Sequence, residues 1–134
     1  MNMEKPPALD PERVKEFVIA GHGNLDRVKE MLAEEPELLR CAWNWGGGDW
    51  ETPLNGASHV GSREVALYLL EQGAPVDIFA AAMLGKLELV KAILADQPSA
   101  KDAPGAHGIP LLVHAERGGE EAADVVAYLQ SLSH

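Results

Sequence analysis

Three stretches of this chain align without a gap, each behind a glycine: Gly23 is followed by NLDRVKEML, Gly61 by SREVALYLL and Gly85 by KLELVKAIL. The fifth position after the glycine is Val28, Ala66 or Val90, and the eighth and ninth are Met31-Leu32, Leu69-Leu70 or Ile93-Leu94. Apolar residues at that spacing line one face of a helix. Asp26, Glu64 and Glu88 hold the third position, near the helix N-terminus, where the helix dipole favours an acid. Before each of these glycines, and before Gly118, runs a shorter helical stretch rich in small residues, with Ala20, Ser58, Ala82 and Ala115 three positions upstream. Side chains of that size let two helix backbones approach closely. Breakers follow each outer helix: EEPELL, EQGAPVD and DQPSAKDAPGAHG. A helix, a tight turn and a second helix cannot bury their apolar faces alone, so units of this kind must stack.

The second unit carries more landmarks than the others: Thr52-Pro53-Leu54-Asn55, Ala57-Ser58, Gly61, Glu64-Val65, Leu69-Leu70 and Gly73-Ala74-Pro75-Val76-Asp77. These residues resemble the ankyrin-repeat family, with its T-P-L-H, A-A, G-H, E-(I/V)-V, L-L and G-A-D-V-N positions. The resemblance runs from about Pro11 to Leu132. It is partial in the first unit, which has no T-P-L-H, and in the fourth, which has Ile109-Pro110-Leu111-Leu112 in that place and about two extra residues after Gly118. The resemblance implies an all-α ankyrin-repeat solenoid of stacked helix-turn-helix pairs with projecting hairpin loops. Its single domain would cover 11–134, with repeats at about 11–42, 43–75, 76–103 and 104–134, behind a mobile segment over 1–10. It also implies non-covalent recognition of a partner protein on the concave groove formed by inner helices and hairpins.

The glycine intervals are uneven, at 38 residues from Gly23 to Gly61, 24 from Gly61 to Gly85 and 33 from Gly85 to Gly118. Against a family period of about 33, the middle interval lacks a hairpin, and Val76-Asp77 leads almost directly into IFAAAML. A notch is expected there, between the tryptophan finger and the DAPGAHGI loop. The surplus of the first interval falls in CAWNWGGGDW, which contains all three tryptophans, Trp43, Trp45 and Trp50, around Gly46-Gly47-Gly48. The glycines must supply the turn's permissive backbone angles. Two readings stand for the tryptophans: they pack on one another as a local core, or Trp45 and Trp50 face the groove as anchors while Trp43 supports the hairpin.

A net charge of -10 disfavours nucleic acid and anionic membranes and favours a partner of basic or mixed charge. No apolar run approaches the ~20 residues of a membrane span, and MNMEKPPALDPERV does not read as a signal peptide. A monomer in the cytoplasm is the simplest expectation. The single Cys41 has no internal partner, and nothing local positions it with a base, so no catalytic residue is expected. The five histidines, His22, His59, His107, His114 and His134, show no three- or four-residue ligand spacing and no accompanying cysteine pair, so neither a metal nor a cofactor is expected. His114 reads as a core or capping histidine. The resemblance places His59 and Val60, and their counterparts His22 and Leu84, at the groove end of the inner helices. The expected partner-binding set is Trp45, Asp49, Trp50, Glu51, His59, Val60 and Leu84. The competing reading is a small-molecule-binding or enzymatic domain that uses a Trp-rich hairpin pocket.

Overall fold

The computed structural model describes residues 7–132. The mobile segment expected over 1–10 therefore falls, for residues 1–6, outside the described residues, as does His134.

The chain is mostly helical. The pairs are α1 (Pro11–Ala20) with α2 (Leu25–Glu34), α3 (Pro53–Val60) with α4 (Arg63–Glu71), α5 (Ile78–Leu84) with α6 (Leu87–Asp96), and α7 (Leu111–Arg117) with α8 (Ala123–Ser131). Each start has a local cause. The Asp10 carboxylate accepts from the Glu12 amide, with Pro11 in the first turn. Thr52 and Asn55 form a reciprocal capping box at α3. Asp77 caps α5 by accepting from the Ala80 amide at 2.8 Å, and it also accepts from the Asn55 side chain. Gly61 and Gly85 end α3 and α5 in the left-handed region, at φ 77° and 79°, where a side chain would be strained. The two extra residues after Gly118 are taken up in a 3-10 turn, Gly119–Ala122, that delays α8 to Ala123.

The helices α1, α3, α5 and α7 form the inner row, each against the next. Phe17, Val18, Val28, Met31, Val65 and Leu69 build one half of the core, and Val90, Leu111, Ala115 and Val125 build the other. Helix α5 serves both halves, because Ala80 and Met83 face the first and Ala81 and Ala82 the second. Its run of alanines keeps it thin, and α7 reaches past it to touch α3 as well. No helix of the described residues is long and apolar enough to cross a membrane.

The tryptophan stretch forms a small antiparallel hairpin, β1 (Trp43–Asn44) with β2 (Trp50–Glu51). Gly46, Gly47 and Gly48 all have positive φ, as the turn requires. No strand forms between Gly73 and Phe79, so nothing projects from the unit that begins α5.

Candidate functional site

Side chains alternate across a strand, and this alternation decides what the hairpin presents. Glu51 points inward and is completely buried, whereas its neighbour Trp50 points outward and is 59% exposed. Trp43 faces Glu51 in the register and packs on the first core half, and Asn44 faces Trp50. Trp45, at the start of the tip, folds back so that its indole N–H donates to Glu51 Oε1 at 2.9 Å. Of the three tryptophans, Trp45 and Trp50 are thus the exposed pair and Trp43 the support.

A buried carboxylate needs partners, and Glu51 draws them from three separate parts of the chain. His22, in the turn after α1, places Nε2 3.1 Å from Glu51 Oε2. His59, in the last turn of α3, places Nε2 2.8 Å from the same oxygen. His107, in the loop before α7, places Nε2 3.3 Å from Oε1. The Nε2 atoms of His22 and His59 are themselves 3.0 Å apart.

Two of these histidines are held through their other ring nitrogen. Nδ1 of His22 lies 2.9 Å from the Val18 carbonyl, one of the unpaired acceptors at the end of α1. A carbonyl only accepts, so Nδ1 carries a proton there, and Nε2 is the nitrogen turned toward Glu51. His107 repeats the pattern with a carboxylate. Its backbone N–H and its Nδ1 both donate to Asp49, each at 2.8 Å, which again leaves Nε2 free to face Glu51. His107 is also the one described non-glycine residue with positive φ, at 60°, a conformation that is uncommon for such residues and marks a local constraint. His107 reaches the hairpin because no hairpin from the α5 unit stands between them.

Electrostatics follow from this crowding. Burial opposes ionisation of Glu51 and is the largest influence on it. The hydrogen bond and charge of His22, the Trp45 N–H and the charge of His107 together outweigh that burial and bring its pKa down to about 2. His22 is raised above the ordinary histidine value, chiefly by its bond to Glu51. His59 moves the other way, because burial favours its neutral form despite Glu51. The four side chains bring one ligand atom each to within 4.8 Å of one another, an arrangement able to hold a metal ion. The sequence expectation of no metal rested on the absence of a three- or four-residue ligand spacing, which does not register this arrangement. The reasoning used local spacing, whereas these ligands are contributed by four distant segments.

Beside the cluster lies a cleft of about 770 Å³ between the hairpin tip and the loop at 104–108. Gly47, Gly48, Asp49 and Trp50 form one side, Pro104 to Gly108 the other, and Asn55, Asp77 and Phe79 also line it. This is the notch expected from the missing hairpin, narrowed by the Asp49–His107 bridge.

The remaining expected site residues divide. Val60 is exposed at 42%, and Asp49 and His59 are partly exposed. Glu51 and Leu84 are corrected: both are buried and offer no surface to a partner. Glu51 faces inward by strand alternation, and the Leu84 side chain belongs to the first core half while its carbonyl accepts from Arg63. Buried His114 bonds the Pro110 carbonyl at 2.9 Å. Burial pushes the Cys41 thiol up to about 11, leaving it protonated and unreactive at neutral pH.

No protein-family model matches the chain, and no curated protein matches it.

Proposed function

We propose that this protein is a non-enzymatic ankyrin-repeat module that holds a segment of a partner protein in the cleft between the tryptophan hairpin and the 104–108 loop. The carrying observation is Trp50, 59% exposed on the wall of a cleft that also presents Asp49 and Asp77. An exposed indole beside carboxylates suits a lysine or arginine side chain laid over the ring, with its charge directed at the acids. The net charge of -10 favours the same occupant by steering basic segments toward the surface. The capping box at α3 and the left-handed glycines closing α3 and α5 support the repeat reading.

Peptide display on the purified protein tests this. Peptides combining Lys or Arg with apolar residues are expected to be enriched, and Trp50→Ala is expected to weaken them by about 2 kcal/mol, the scale of an interface hot spot. Selected peptides that bind Trp50→Ala equally well would overturn the reading. A screen that finds small metabolites in place of peptides would favour a ligand-binding domain.

A further inference from the structure

The convergence of His22, His59 and His107 on Glu51 is more than a buried carboxylate needs. Trp45 already donates to Oε1, and one histidine N–H would satisfy Oε2. Instead two Nε2 atoms compete for Oε2 while standing 3.0 Å from each other. One proton shared between them serves Oε2 and leaves the other Nε2 and that of His107 without a donor's task, whereas a single cation at the centre engages all four side chains at once.

We propose that His22, Glu51, His59 and His107 bind one divalent transition-metal ion, with zinc the best match. Three imidazole nitrogens and one carboxylate oxygen form a donor set suited to zinc and its first-row neighbours. Calcium and magnesium prefer all-oxygen shells, and no thiolate is present to select a softer ion. Zinc–nitrogen bonds of 2.0–2.1 Å in a tetrahedron place neighbouring ligand atoms roughly 3.3 Å apart. The contacts here are 2.8 and 3.1 Å at Oε2, 3.3 Å at Oε1 and 3.0 Å between two rings, and all four ligand atoms lie within 4.8 Å of one another, so rotations of the rings must draw the set together.

The outer contacts match what metal-binding histidines require, which is an acceptor on the other ring nitrogen to fix tautomer and orientation. The Val18 carbonyl does this for His22 and the Asp49 carboxylate for His107. The Trp45 N–H orients the carboxylate. Charge also closes: a divalent ion balances Glu51 and Asp49, and the imidazoles are neutral. The proposal shares Asp49 and His107 with the cleft wall but needs no occupant in the cleft.

Isothermal titration of chelator-treated, dialysed protein with zinc chloride tests this, with cobalt(II) as a spectroscopic probe. One equivalent is expected to bind, and cobalt is expected to give the intense visible absorption of a tetrahedral site. His59→Ala and His107→Ala should each weaken zinc binding by well over 10-fold, and Asp49→Asn by about 10-fold or more. His107 lies in an exposed loop, so its variant retains the fold even if changes at Glu51 do not, and circular dichroism verifies this. Folded wild-type protein that takes up neither ion at tens of micromolar would overturn the proposal, as would uptake that His59→Ala and His107→Ala leave unchanged.

Discussion

The imidazole of His22 occupies the space where a side chain on Gly56 would begin: a β-carbon there would stand 2.7 Å from ring atoms Cε1 and Nδ1. Gly56 lies within α3, where glycine costs helix stability relative to alanine, and its position beneath the ring explains the choice. Gly56→Ala should therefore act opposite to its helix propensity and lower stability by about 1–3 kcal/mol, the range of overpacking. Urea denaturation measures this. A variant as stable as the parent would mean the ring has room to move.

Trp50 and Trp43 should separate in the same assay. The exposed Trp50 should cost less than ~1 kcal/mol when replaced by alanine. Trp43, partly buried against the first core half, should cost at least about 2 kcal/mol, approaching the 3 kcal/mol and more of a fully buried aromatic. Equal losses would show the three tryptophans acting as one local core.

His114 gives a pH dependence of known sign. Burial lowers its pKa in the folded state, opposed by its bond to the Pro110 carbonyl; His59 lowers it further and Asp77 raises it. Between the lowered folded value and the ordinary value of about 6.5, the unfolded chain holds the extra proton. Its contribution is therefore complete above about pH 6.5 and declines as the pH falls through the folded value. His22, with a raised pKa, contributes the opposite slope, so the comparison must be with His114→Gln. That variant should show a smaller loss of stability between pH 7 and pH 5 than the parent.

Salt should weaken peptide binding to the cleft. Exposed charges more than about 8 Å apart are largely screened at physiological ionic strength, and encounter driven by opposite charge slows accordingly. Affinity that is flat from low to high salt would leave Trp50 packing, without the acids, as the source of binding.

The helices were legible because their causes are local. The gapless alignment behind Gly23, Gly61 and Gly85 located α2, α4 and α6, and the 24-residue interval located the absent hairpin. The ligand cluster was not legible, because His22 and Glu51 are 29 positions apart and His22 and His59 are 37 apart, beyond any helix or strand period. Glu51 was misjudged through its neighbour. Both stood in the expected partner-binding set, whereas strand alternation sets Trp50 outward and Glu51 inward. Leu84 was judged by its equivalence to His22 and Val60, but the thin, fully packed α5 leaves no open face at that position.

Helical units that touch only their neighbours loosen one at a time from an end. The bond between Asp49 and His107 spans 58 positions, and His22 joins the same knot from the first turn of the chain. Opening the fourth unit would therefore remove a partner from Glu51, the residue that His22 of the first unit also grips, and the two ends of the row would fray together. Amide hydrogens of α1 and α7 should then exchange with solvent at coupled rates, and an excision of residues 104–132 should loosen the turn at Gly21–Gly23 although the two segments lie at opposite ends of the sequence.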